Sequence, residues 1–151
     1  FATTTHPLTI RLWHGRRVFF QPWLVSMELT RTLAKLANVS VMSTGGQVAC
    51  LAWLLAVNLQ ANPIGVFGIT HSYDDIAETE YPGVRHEKVT NRHGVFWTDP
   101  VYQRYNDVYL AFIKYGKEKH GIRTVNCTKG GILYSEHVED MPLKEFVEKY
   151  T

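Results

Sequence analysis

The chain predicts an α/β layered domain with a mainly parallel central sheet. Three observations carry that expectation. Segments reading helix, strand, helix, strand follow one another between residues 23 and 69; the second helix is apolar on nearly every face; and the strand after it is almost continuously apolar, as strands covered on both sides are.

In chain order, residues 3–12 read as a first short β-type segment, and Arg16-Arg17-Val18-Phe19-Phe20 as a second, ended by Gln21-Pro22. His6 and His14 stand isolated and read as surface or capping histidines. From residue 23 or 24 to Ala37, the positions Leu24, Met27, Leu29, Leu33, Leu36 and Ala37 fall on a helical stripe, with Glu28, Arg31 and Lys35 mostly opposite. This predicts an amphipathic helix over one face of a sheet. Asn38 is a fair stop, and Val39-Ser40-Val41-Met42 a short strand.

Ser43 and Thr44 are N-capping types, Gly45 and Gly46 permit a tight turn, and Val48, Ala49, Leu51, Ala52, Leu54, Leu55, Val57 and Leu59 then surround a helix that has no solvent side. Asn58, Gln60, Asn62 and Pro63 end it well short of the roughly 20 apolar residues that a bilayer requires. Ile64, Val66, Phe67 and Ile69 predict a central parallel strand. A helix feeding such a strand is half of a βαβ unit, whose ligands bind at the carboxyl ends of the strands.

Residues 76–100 are polar and rich in turn formers, with no long periodic run. A loop of this length is a lid, a binding segment or an oligomer arm. It carries Arg85, His86, Arg92, His93, Phe96 and Trp97, and covering a site or bridging a homo-oligomer both stay open. Asp99-Pro100 starts a helix through Val101, Tyr102, Tyr105, Val108, Tyr109, Phe112 and Ile113 to Gly121, its aromatic stripe facing a core. Residues 122–126 predict a strand, Cys127-Thr128-Lys129-Gly130-Gly131 a glycine-rich turn, Ile132-Leu133-Tyr134 a segment docking back on the sheet, and residues 141–147 a terminal helix.

At 151 residues, 45% hydrophobic and 20% charged, the chain suits a single domain over its whole length. Net charge +2 with scattered Lys and Arg argues against nucleic acid as a partner. Cys50 and Cys127 form no metal or redox motif and read as buried, reduced thiols. With neither signal-peptide pattern nor transmembrane segment, the expected location is the cytoplasm, away from the membrane. The start at Phe1, directly on strand-like material, suggests the C-terminal part of a longer protein.

In a parallel sheet, three strand ends would share one edge: residues 43–46, 70–75 and 126–131. Gly45 and Gly46 at a helix start, with the hydroxyls of Ser43 and Thr44, could face a phosphate or simply cap the helix. Asp74 and Asp75 could hold Mg²⁺ through water, or be solvated loop carboxylates. His71 could act as acid, base or phosphate contact, and Lys129 beside Gly130 as an anion partner. No zinc pattern or nucleophile elbow is present.

Four segments also resemble a known family, in its order: Ser43-Thr44-Gly45-Gly46-Gln47-Val48, Asn62-Pro63-Ile64-Gly65-Val66-Phe67-Gly68, Phe96-Trp97-Thr98-Asp99-Pro100-Val101-Tyr102, and Thr124-Val125-Asn126-Cys127-Thr128-Lys129-Gly130-Gly131-Ile132-Leu133-Tyr134. The family is the 6-hydroxymethylpterin diphosphokinase-like domains of archaeal pterin enzymes and bacterial flagellin-glycosylation proteins, and the likeness is to its C-terminal part. The resemblance implies a Rossmann-like three-layer sandwich that transfers diphosphate from ATP to a hydroxymethylpterin-like acceptor with Mg²⁺. Taken with the residue reading above, this sets Ser43, Thr44, Gly45 and Gly46 on phosphate, His71 and Asp74 near the transferred group with Asp74 and Asp75 on the metal, and Asn126, Thr128 and Gly130 around the pocket. The same layout is similar to bacterial sialyltransferases that use CMP-sugars, which leaves a glycosyltransferase-related domain or a non-catalytic module of the same fold as alternatives. Two features depart from the family pattern: Thr70 stands where an acidic residue is usual, and a G-x-G-P-S segment is absent.

Overall fold

The computed structural model describes residues 5–17, 19–23, 28–76 and 83–150. The chain groups into two compact units, Phe1–Leu54 and Leu55–Thr151, which divide within one helix.

In the first unit, α1 (Pro7–Leu12) is a helix where a strand was expected. Proline at its first position is pre-organised for a helix, and His6 Nδ1 accepts from the Leu8 N–H at 3.2 Å, which satisfies one of the free amides. Residues 3 and 4 lie outside the described part. Strand β1 is Phe20–Trp23, beginning where the expected strand ends, and it pairs in parallel with β2 (Ser40–Ser43) from Phe20↔Ser40 to Trp23↔Ser43. Among the described residues this sheet has two strands, each an edge, where Pro22 is accommodated. Between them α2 (Glu28–Ala37) packs on both strands. Leu24 and Met27 of the expected stripe lie outside the described residues. The helix buries Thr30 and Ala34, one turn apart, and leaves Leu29 and Leu36 of the expected stripe exposed. Asn38 adopts φ 49° as the helix closes, with the Val39 N–H on the Ala34 carbonyl.

Helix α3 (Val48–Asn58) runs across the division between the units. It is not enclosed on all sides as its composition suggested: Cys50 and Trp53 are buried, but Val48 is 79% exposed and Leu55 is exposed as well. Apolar composition all round leaves the packed face unspecified, and the side that is buried is the one carrying Cys50 and Trp53.

In the second unit the sheet has the order β3-β6-β7, all parallel: β3 (Ile64–Val66), β6 (Thr124–Asn126) and β7 (Val138–Asp140). The centre is therefore β6, buried at all three positions, and β3 is an edge in place of the expected central strand. Phe67 stays exposed. Ile64 and Val66 are buried on one face of β3, and Gly65 on the opposite face is covered by the Phe146 ring of α5 (Leu143–Tyr150); an added Cβ there would stand 2.8 Å from that ring.

Residues 87–98 fold as an antiparallel hairpin, β4 (Glu87–Asn91) and β5 (Gly94–Thr98), within the stretch expected to be loop. Phe96 and Thr98 point inward and are buried, and Tyr73 extends the ladder by pairing with Trp97. Residues 77–82 lie outside the described part. Helix α4 (Pro100–His120) follows as expected, with Asp99 Oδ1 capping the Val101 and Tyr102 amides at 2.7 and 2.9 Å and Gly121 closing it at φ 65°. Tyr109 and Ile113 are fully buried on its inner face. Ile132 and Leu133 are buried without forming a strand; the third strand is Val138–Asp140, which sequence periodicity did not reveal. Among the described residues no helix is long and apolar enough to cross a membrane.

The architecture is thus mixed α/β with parallel strands in two sheets and one antiparallel hairpin.

Candidate functional site

The three turns expected on one sheet edge fall into two sheets. Residues 43–46 follow β2, which pairs with β1, whereas residues 70–75 and 126–131 follow β3 and β6, which pair with each other.

In the first unit, Gly45 and Gly46 take φ 58° and 85°, the left-handed values their position requires. The Gly46 N–H donates to Thr44 Oγ1 at 3.3 Å, and the Gln47 N–H to the Thr44 carbonyl at 3.0 Å. The turn thus spends these amides on Thr44. Ser43 is the last residue of β2, half-buried opposite Trp23. A shallow cavity of about 380 Å³ adjoins the turn, lined by Phe20, Pro22, Thr44, Gly46, Val48 and Leu51 with Gln47. Its walls carry no charge, which suits an apolar group better than a phosphate.

In the second unit the register aligns Val66, Asn126 and Asp140, so the carboxyl ends of β3, β6 and β7 coincide at one edge. Backbone bonds lock the turns that leave it. The Cys127 N–H donates to the Val66 carbonyl at 2.7 Å, the Met141 N–H to the Asn126 carbonyl at 3.1 Å, and the Ile132 N–H to the Thr70 carbonyl at 2.9 Å. Asn126 is buried and works inward: its Oδ1 accepts from the Thr128 N–H at 2.9 Å while its Nδ2 donates to the Leu133 carbonyl at 3.2 Å. It shapes the glycine-rich turn and has no polar atom to spare for a ligand beyond these two bonds' second lone pair and proton.

On this edge lies a cavity of about 290 Å³, lined by Asn126, Cys127, Thr128, Lys129, Gly130, His93, Asp140, Met141 and Pro142. Lys129 is exposed; Gly130 is buried at φ 112° against Phe96. The cavity also borders the start of α5 at Met141 and Pro142, the end of a helix whose dipole favours an anion. Thr128 Oγ1 is buried and has no hydrogen-bond partner among the described residues. Burial pushes the Cys127 thiol up, which makes it a poor nucleophile.

His71 sits elsewhere. Its ring, 7% exposed, is turned toward α4, with Nδ1 3.4 Å from Asn106 Oδ1 and the ring edge-on to Tyr109. Desolvation holds its pKa below the usual imidazole value, the Asn106 bond opposing. The imidazole is a core group at φ 51° and not a cavity wall. Asp74 and Asp75 are exposed and do not line the cavity. Among the described residues no three His, Cys, Asp or Glu side chains gather as a metal cluster. Thr70 lies under the glycine turn, its hydroxyl donating to the Ser72 carbonyl at 3.3 Å.

The residues missed by sequence reasoning are Asp140, Met141 and Pro142, which close the cavity after β7. Val138-Glu139-Asp140 has one apolar residue and two carboxylates, so neither periodicity nor propensity marks it as a strand. Comparison with family models, with curated proteins and with solved structures found no match to this chain.

Proposed function

We propose that this chain is a nucleotide-dependent transferase domain whose phosphate site is the carboxyl edge of β3, β6 and β7. The observation that supports it is the alignment of three parallel strand ends beneath a cavity of about 290 Å³ walled by a glycine turn, Lys129 and the start of α5. Ligands of α/β sheets bind at such edges, and glycine turns let backbone N–H groups approach phosphate oxygens. In this reading the second unit is the nucleotide-binding part of a Rossmann-like layered fold. Lys129 pairs with a phosphate, Thr128 offers its unpartnered hydroxyl, and Gly130 keeps the turn free of a side chain.

The reaction most in keeping with the sequence resemblance is diphosphate transfer from ATP to a hydroxymethylpterin-like acceptor. Asp140, the only carboxylate lining the cavity among the described residues, is already engaged by Arg92 and His93. Magnesium would therefore enter on the nucleotide's own phosphates and water, a mode that needs few protein carboxylates. What it supplies is neutralisation of phosphate charge; what the chain supplies is orientation by Lys129 and the turn.

Calorimetric titration with ATP, GTP and CMP, each with and without Mg²⁺, tests the proposal. Saturable ATP binding that weakens about tenfold or more in Lys129→Ala supports it. A preference for CMP would move the reading to a nucleotide-sugar transferase, and no binding of any nucleotide would leave a non-catalytic module.

A further inference from the structure

We infer that Asp140 occupies, as an internal anion, the seat that a ligand phosphate takes, and that Arg92 and His93 are phosphate-binding residues which pass from Asp140 to the ligand. This rests on the phosphate site proposed above and gives a role to His93 and Asp140, which line the same cavity, and to Arg92 beside them.

Arg92 and His93 are the two tip residues of the β4–β5 hairpin. The tip is seated on the glycine turn: Asn91 Nδ2 donates to the Gly131 carbonyl at 2.7 Å, and Asn91 Oδ1 accepts from the His93 N–H at 2.8 Å. From there Arg92 reaches Asp140 Oδ2, with its guanidinium 4.6 Å from the Tyr134 ring centre. His93 Nε2 lies 3.3 Å from the same oxygen, its ring edge-on to Tyr134.

Both basic groups thus converge on Oδ2, while Oδ1 of the same carboxylate is buried with no hydrogen-bond partner among the described residues. Arg92 Nε also donates to His93 Nε2 at 3.4 Å, so the histidine is held between Arg92 and the carboxylate. A carboxylate with one oxygen held by Arg92 and the other unserved leaves part of its acceptor capacity unused. A tetrahedral phosphate suits the same donors better, because it presents several oxygens to a guanidinium fork. Arg92 is half exposed, so an incoming ligand can reach it, and Lys129 adds a cation on the cavity wall. Against these stands one carboxylate, which repels the ligand as long as it remains charged. Phosphate binding is then an exchange: Arg92 and His93 leave Asp140 and close on the ligand.

The test is calorimetric titration of the full chain with inorganic pyrophosphate and with ATP·Mg²⁺, comparing wild type, Asp140→Asn, Arg92→Gln and the double variant. Circular dichroism establishes that each is folded. The expected result is tightening of roughly 3- to 10-fold in Asp140→Asn, weakening of about 10-fold in Arg92→Gln, and loss of the Asp140→Asn gain when Arg92 is also replaced. Binding by wild type that Asp140→Asn weakens or leaves unchanged overturns this inference alone, as does a gain that survives in the double variant. Should Asp140→Asn fail to fold, unchanged affinity in Arg92→Gln overturns it. Absence of binding by wild type to either probe overturns both this inference and the site it rests on.

Discussion

Gly131 lies so close to Thr70 that a Cβ added to it would stand 2.6 Å from both the Cα and the carbonyl oxygen of Thr70. Here the turn after β6 lies directly on the segment after β3, and the Ile132 N–H bond to the Thr70 carbonyl closes the contact. At φ 82° the glycine is also in the left-handed region. Gly131→Ala therefore meets two penalties, about 1–3 kcal/mol for the backbone conformation and a clash with backbone that cannot swing away. The expected outcome is a clear loss of thermal stability, read as a fall in Tm by calorimetry. An alanine variant that melts with wild type would contradict the packing of the two turns.

Gly65 tests the docking of α5. Its added Cβ would meet the Phe146 ring at 2.8 Å, a side chain and not backbone. Gly65→Ala is expected to destabilise the wild type and to cost much less in a Phe146→Ala background. Urea denaturation of the four proteins of the cycle should show a coupling of about 0.5–3 kcal/mol; additivity would place Phe146 elsewhere.

Asp99 combines two tasks. One oxygen caps α4, and the other accepts from the Tyr73 hydroxyl at 3.0 Å, with both side chains buried. Asp99→Ala should cost about 1–2 kcal/mol for the cap and about 0.5–1.5 kcal/mol more for the lost Tyr73 bond. In a Tyr73→Phe background the cost of Asp99→Ala should be smaller by that bond, as chemical denaturation can measure.

His71 sets a pH dependence. Its folded pKa is depressed below the usual value of 6.5, foremost by desolvation, so the unfolded chain binds more protons through the interval below 6.5. Stability from this group is then fully present above that value and is lost as pH falls toward the folded pKa. Glu139, held low by its hydrogen bond from Arg123, acts in a separate and more acidic window, below the usual 4.5. Urea midpoints at pH 7.5 and 5.5 should differ in wild type and converge in His71→Gln. Equal slopes in both proteins would put the imidazole in solvent.

Legibility followed how much local chemistry each element carries. Helix α4 has Asp99-Pro100 at one end and Gly121 at the other, and both act as their types predict. Strand β6 and its glycine turn were equally plain from Val125 and Gly130-Gly131. The β4–β5 hairpin was not, because its tip, Arg92-His93, lacks the Asn-Gly or Asp-Gly pair that marks such turns. In α1, Thr9 and Ile10 suggested a strand, and the His6 and Pro7 start prevailed over them. For the site, the turn after β6 was foreseen, but Asp140 was not, since a three-residue strand leaves no period to read. His71 looked chemical in a polar loop, and only burial against Tyr109 and Asn106 marks it as core.

Amide chemical-shift mapping of the isotope-labelled chain during titration with ATP·Mg²⁺ reads where a nucleotide sits. Saturable shifts are expected at Thr128, Lys129, Gly130 and Met141, with Arg92 and His93 moving together with them. Shifts concentrated at Thr44, Gly45 and Gly46, with residues 127–131 unmoved, would contradict that placement and return the phosphate site to the turn before α3.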